Sequence, residues 1–418
     1  MPAAVLLAIG AASIAPRVAE RSTRTLDVAL LACVAFVLLQ AVPLPTALRN
    51  AITPHAQGVE GALALAPRTA AMAPLTVDPR GTWSALFVLA LAVGTFFVAR
   101  QVCRDGGMRR LIRTVAWTGL VVAALAVIVR PALPGGILSL VDASDTPMYG
   151  PFVNRNHMGT WLIMALPLVA GYLAARIADR LQHMPASRVV DAMLIWLAAS
   201  AIVMLIATVA SLSRSAFIGA AAAGGFFAIV GHPRRPARVR GIGLLAAAAI
   251  VALALTNSQA AGLMARFQDS RTTATWSRAE IWRQTLPIVR DFPIAGAGAG
   301  AYGQAMLVYQ QSDRTLFFNQ AHNQALQTAA EGGMVLVALV GLALIALALQ
   351  IAARLRGDRS PLFWIRLGAA SGIVGVLVQS VWETGLRIPA NALLFAVLCA
   401  VASFSAAARP VGAPSGGS

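Results

Sequence analysis

The chain has 418 residues, of which 58% are hydrophobic and 12% charged, against roughly 25% charged in an ordinary soluble domain. Its formal net charge is +17, and every one of its 33 basic residues is arginine. These values exclude a soluble globule. No polar stretch is long enough for an independent core, so residues 1–408 read as a single membrane domain, followed by a disordered tail at 409–418.

In chain order, apolar stretches near or above the ~18-residue spanning threshold predict helical spans at 3–16, 26–47, 82–99, 114–130, 157–175, 189–210, 215–231, 242–256, 334–352, 367–382 and 390–407. The fold class expected is therefore all-α, a polytopic membrane helix bundle. The span at 3–16 has no basic leader, and the membrane pattern continues beyond it, so it does not read as a cleaved signal peptide. The short connections 17–24, 100–113, 176–188, 231–240 and 354–366, with Arg409, hold 20 of the arginines. By the positive-inside rule these face the cytoplasm. The net charge is thus an orientation signal, and no nucleic-acid partner is expected. This orientation leaves the amino terminus outside and points to a further span upstream. Cys33, Cys103 and Cys399 fall in spans or a cytoplasmic connection, so neither a disulfide nor a cysteine metal site is expected.

The exported side carries segments 48–80, 131–156 and 257–332, the last long enough to expect a functional role. Within it, "WSRAEIWRQTLPIVRDFP" predicts an amphipathic helix with Ile281, Trp282, Leu286, Ile288 and Val289 on one face. Arg278 falls in the same arc, Arg283 and Arg290 lie at its edge, and Pro287 should kink it. "AHNQALQTAAEGG" predicts a second helix with His322, Ala325, Leu326, Ala329 and Ala330 on an inward face. Asn323, Gln327 and Glu331 form the next stripe, and Gly332-Gly333 should end the helix or bend it into the membrane span.

Few residues offer chemistry. His322 fits either a buried structural histidine or a general base, since its unperturbed pKa near 6.5 suits proton removal from a hydroxyl. Arg214, in "SLSRSAFIG", sits where two spans meet almost without linker. It fits either an interfacial snorkelling side chain or a bidentate ligand for phosphate oxygens. Asn154, Arg155, Asn156 and His157, in "PFVNRNHMG", fit a helix cap and interfacial anchor as well as a polar ligand site. "PIAGAGAGAYG" lacks the strand-before, helix-after context of a phosphate loop and reads as a tightly bent or flexible connection. Asp142 and Asp145 form no metal motif, and no metal or cofactor is expected. Span centres nearly free of charge disfavour a transporter or flippase; Asp27 and Asp191 lie near cytoplasmic ends and form no relay. An exported arginine cluster beside an inward histidine is physically suited to glycosyl transfer from a lipid diphosphate.

Five stretches, in order, carry a resemblance: "APLTVDPRGTWSAL", "FVNRNHMGTWLIMALPL", "SLSRSAFIGA", "SRAEIWRQTLPIVRDFPIAGAGAGAYG" and "AHNQALQTAAEGG". Together they make the chain resemble the O-antigen ligase and polymerase-related membrane glycosyltransferases. The resemblance implies about twelve helices in a bacterial inner membrane, with a large periplasmic loop over a crevice. It implies metal-independent transfer of a glycan from undecaprenyl diphosphate to a glycolipid acceptor such as lipid A-core, at a site facing the periplasm. It implies His322 as base, Arg214 and Arg278 as diphosphate ligands, and Asn156, His157, Gln327 and Glu331 as further substrate contacts. The sequence departs from the family in showing eleven spans and no large carboxy-terminal soluble domain. A polymerase of O-antigen or exopolysaccharide repeats shares the pattern, because no residue reads the acceptor.

Overall fold

The computed structural model describes residues 16–20, 23–63, 71–129, 151–185, 188–211, 213–234, 274–311 and 317–405. Among these the chain forms α1 (Arg24–Ala41), α2 (Thr46–Ile52), α3 (Ala56–Ala62), α4 (Pro79–Arg104), α5 (Met108–Ala124), α6 (Arg155–His183) and α7 (Ala192–Ala210). There follow α8 (Arg214–Gly231), α9 (Ala274–Asp291), α10 (Tyr302–Tyr309), α11 (Gln324–Gly357), α12 (Leu362–Gln379) and α13 (Pro389–Ser403). The described strands, β1 (Leu44–Pro45) and β2 (Met72–Ala73), pair antiparallel. Eight helices are long and apolar enough to cross a membrane, namely α1, α4, α5, α6, α7, α8, α11 and α12. The chain is a multi-pass, all-α membrane protein. The expected spans at 3–16 and 242–256, and the tail, lie outside the described residues. The other nine expected spans correspond to the eight long helices and to α13, which has 15 residues.

Boundaries follow local chemistry. Pro43 and Pro45 cannot continue a helix, so α1 stops at Ala41, earlier than the apolar run suggested. Asp78 caps α4 by accepting from Gly81 N at 3.1 Å, with Pro79 at the first helical position. Asn154, Ser213 and Asn323 cap α6, α8 and α11 in the same way.

At the centre α6 packs on α12, whose apolar window is 78% buried. Their backbones meet at Gly171 and Gly368, where a Cβ on Gly368 would come within 2.3 Å of Pro167 O. Such close approach is the usual route to helix association in lipid, where apolar burial alone gives no preference for protein over acyl chains. Outward faces carry exposed Ile195, Ile229, Ile345 and Leu349, as a lipid surround requires.

The two ends of the bundle differ. At one end arginines lock helix termini together. Arg100 makes paired bonds to Asp27 at 2.6 and 2.8 Å. Asp191 takes both Arg176 and Arg180. Arg366 donates to Asp358 Oδ2 at 3.1 Å and to Phe404 O at 2.8 Å. Both aspartates weighed as a relay are therefore paired as helix-end locks.

At the other end the glycine-rich loop has a structural task. Gly333 (φ 58°, ψ −165°) breaks α11, which turns the 324–332 segment away from the span. The loop closes over that break. Ala297 N donates to Ala330 O at 2.8 Å and Gly298 N to Glu331 O at 3.0 Å. In the other direction Met334 N donates to Pro293 O at 2.8 Å. Backbone groups freed by the kink are thus satisfied by the loop, as a low-dielectric setting demands. Gly298 sits at φ 113° with the position of a Cβ only 1.9 Å from Thr76 Oγ1. Gly298→Ala should therefore destabilise the protein by more than about 2 kcal/mol, read as a lowered thermal midpoint in detergent. Gly341→Ala, in open space on α11, should be neutral or stabilising.

Candidate active site

The N-termini of α6, α8 and α11 and the C-terminus of α12 meet at the loop-covered end. At their centre stands Glu383, a residue the sequence reading passed over. It lies in the turn after α12, because that helix ends at Gln379 rather than running on to 382. Its side chain is 1% exposed. Asn156 Nδ2 donates to Glu383 Oε2 at 2.7 Å. His322 Nδ1 lies 3.5 Å from Glu383 Oε1, and Arg278 Nη2 lies 3.8 Å from Oε2. His157 is close enough to act on the same carboxylate electrostatically. Burial pushes the Glu383 carboxyl pKa up, but His322, Arg278 and His157 together outweigh it and hold the group below its ordinary range. Glu383 is ionised at neutral pH.

The structure thus brings His322, Arg278, Asn156 and His157 to one carboxylate. Arg214 is linked at one remove. It opens α8 beside Ser213, whose hydroxyl donates to Asn156 Oδ1 at 2.7 Å. Asn156 therefore bridges the start of α8 to Glu383. His157 Nε2 is buried with no hydrogen-bond partner among the described residues.

Gln327 and Glu331 form a separate, satisfied network. Gln327 Nε2 and Arg387 Nη1 donate to Glu331 Oε1 at 2.8 and 2.9 Å. Gln40 Nε2 donates to the Glu331 carbonyl at 2.9 Å. These two side chains hold the helix break and the residues before it.

Two helical-face expectations need correction. His322 is not on a helix: α11 begins at Gln324, and His322 has φ 50°, a left-handed conformation uncommon outside glycine. On α11 the buried side chains are Gln327 and Glu331 of the polar stripe together with Ala330 of the expected inward face, whereas Ala325 is exposed. Gln327 and Glu331 go inward because the Ala321 amide and Arg387 lie there to satisfy their side chains. On α9 the buried side chains are Ile281, Gln284, Thr285 and Ile288, and Leu286 is 57% exposed. Thr285 earns its place by bonding Tyr302 Oη at 2.7 Å.

The strained turn at His322 is pinned from both sides. Ala321 N donates to Gln327 Oε1 at 2.7 Å and Ala321 O accepts from Trp282 Nε1 at 2.9 Å. Beyond it, Asn323 caps α11 by accepting from Leu326 N at 2.9 Å. A backbone conformation over-determined in this way is the kind retained at functional positions. It fixes the imidazole with Nδ1 towards Glu383 and with the side chain 31% exposed.

Residues 199–341 match the family model for O-antigen ligase. A search of curated proteins finds no match. The matched stretch contains Arg214, Arg278, His322, the glycine clasp and the break in α11. It ends before Glu383 and begins after Asn156 and His157. The matched stretch therefore supplies one half of the cluster, and α6 with the α12–α13 turn supplies the other.

Because folding lowers the Glu383 pKa, its ion pairs contribute stability above the unfolded value and lose it as pH falls through the folded one. Glu383→Gln should lower the thermal midpoint near neutral pH. The gap from the parent protein should close as pH drops below the ordinary glutamate value of 4.5, in a pH series of melts.

Proposed function

We propose that the chain is a glycosyltransferase of O-antigen ligase type. It moves a glycan from an undecaprenyl-diphosphate carrier to a sugar hydroxyl of lipid A-core, on the periplasmic face of a bacterial inner membrane. The observation that carries this reading is the meeting of His322 and Arg278 at the buried, ionised Glu383, within a chain whose residues 199–341 match the O-antigen ligase model. The periplasmic side follows from the arginine locks at the opposite end, which the positive-inside rule puts in the cytoplasm.

In the reaction, the acceptor hydroxyl oxygen attacks the anomeric carbon of the donor. The bond from that carbon to the phosphate oxygen breaks, and its electron pair leaves with the lipid diphosphate. The hydroxyl proton passes to Nε2 of His322, the nitrogen turned away from Glu383. With its proton on Nδ1, which faces the carboxylate at 3.5 Å, the imidazole has Nε2 free to accept, and the carboxylate stabilises the imidazolium that forms. Arg278 and Arg214 neutralise the charge developing on the diphosphate, for which the guanidinium fork is suited. Asn156 positions Glu383. The substrates are lipid-embedded, so membrane lipid is itself a partner.

His322→Ala should cut transfer by about 100- to 10,000-fold, the range for loss of a general base, with the lipid-linked donor still accumulating. Activity near that of the parent in a reconstituted assay would sink the base assignment. Arg214→Lys keeps the charge and loses the fork; it should lower kcat/KM by about tenfold, the loss of one charge-assisted bond. Unchanged kinetics there would remove bidentate holding.

A further inference from the structure

A cleft of about 200 Å³ opens beside the Glu383 cluster, lined by Asp78, Gln304, Phe317, Asn319, Gln320 and Arg387. Two polar contacts tie it to the site already described. Gln320 Oε1 accepts from the hydroxyl of Thr384, the neighbour of Glu383, and Arg387 donates to Glu331. Only Ala321 separates Gln320 from His322, so the two α-carbons are at most about 7 Å apart.

The lining has the chemistry of a neutral, hydroxyl-rich ligand. Gln304, Asn319 and Gln320 each carry an amide able to donate and accept. Gln320 commits its carbonyl to Thr384, so its NH₂ faces the choice of ligand or water. Asp78 uses Oδ1 to cap α4 and has a second oxygen to accept with. Arg387 donates through Nη1 to Glu331 and has further N–H groups. Phe317, 58% exposed, offers an apolar ring face at the rim. A phosphate would meet the Asp78 carboxylate, an unfavourable like-charge contact. A sugar ring presents paired hydroxyls that donate and accept, and a C–H face that packs on an aromatic ring, so it suits every one of these groups.

We infer that this cleft is the acceptor-sugar subsite: it seats one ring of the acceptor and directs the attacking hydroxyl towards the His322 imidazole. The inference rests on the glycosyl-transfer reading above. It makes Gln304, Asn319 and Phe317 determinants of acceptor choice, separate from the arginines proposed to hold the donor's diphosphate.

The test uses the full chain in lipid nanodiscs and three probes: lipid-free core oligosaccharide released from lipopolysaccharide by mild acid, lipid-free repeat-unit oligosaccharide, and undecaprenyl diphosphate. The parent should bind the core oligosaccharide. A Gln304→Ala, Asn319→Ala double variant, and separately Phe317→Ala, should weaken that binding by about tenfold or more, with undecaprenyl diphosphate binding held within about twofold. Equal oligosaccharide binding by parent and variants, or binding of neither oligosaccharide by the parent, overturns the subsite. Repeat-unit binding in place of core binding, lost in the same variants, keeps the subsite and replaces the ligase reading with a polymerase. Undecaprenyl diphosphate binding that ignores Arg278→Ala, with the oligosaccharide result intact, overturns the donor assignment and leaves the subsite standing.

Discussion

The loop-covered end of this bundle is organised by one buried negative charge. Taking a carboxylate out of water costs several kcal/mol unless partners are supplied in good geometry. Glu383, at 1% exposure, faces four residues from three places. Asn156 comes from the start of α6, Arg278 from α9, His322 from the turn before α11, and His157 one residue after Asn156. None of these is adjacent in sequence to Glu383. The requirement to compensate this carboxylate is therefore a requirement to bring those elements together, and the relative positions of base and arginine follow from it. A side-chain arrangement that satisfies a buried charge is maintained by folding itself, before any ligand arrives.

The second constraint is backbone hydrogen bonding around an interrupted helix. Splitting α11 at Gly333 leaves carbonyls and amides that lipid cannot satisfy. The loop from Pro293 to Gly298 supplies the partners, with Gln40 from α1 reaching in to the carbonyls of Ala295 and Glu331. The same network runs on through Gln327 to the Ala321 amide, and so to the left-handed turn at His322. The clasp, the break and the imidazole are one mechanical unit. This explains why a glycine-rich stretch that resembles a phosphate loop in composition is used as backbone packing instead.

Much of the architecture was legible in the sequence, because hydropathy over a span's length is a strong, local signal. The arginine bias also reads directly, and the structure shows its second role: Arg100, Arg176 and Arg366 are helix-end locks as well as orientation markers. Helix faces were read less well. A wheel drawn for Ala325 and Leu326 assumes that apolar residues go inward, but here Arg387 and the Ala321 amide meet polar side chains instead. On α9 the same assumption put Leu286 inside and left Thr285 out. Glu383 was missed because its partners are distant in sequence. Its signal was a lone carboxylate at the outer edge of the span "SGIVGVLVQSVWETG", a charge that a membrane protein rarely keeps there without a partner. His322 does face the Glu383 cluster, although the reason given for its inward position, a helical face, was not the one the backbone uses.

The distances around Glu383 also bear on how donor and base would cooperate in the proposed reaction. Arg387 Nη1 sits 2.9 Å from Glu331, a full hydrogen bond within a satisfied network. Arg278 Nη2 sits 3.8 Å from Glu383, beyond hydrogen-bond distance, with 31% of its side chain exposed. An arriving diphosphate competes for Arg278 far more readily than for Arg387. Drawing Arg278 towards the diphosphate leaves Glu383 less compensated, in a medium where an unpaired carboxylate is costly. His322, with Nδ1 3.5 Å from the same carboxylate, then faces it beside Asn156. In the proposed reaction donor and base would be linked through one carboxylate: the arginine that holds the leaving group is the arginine drawn away from the group behind the imidazole.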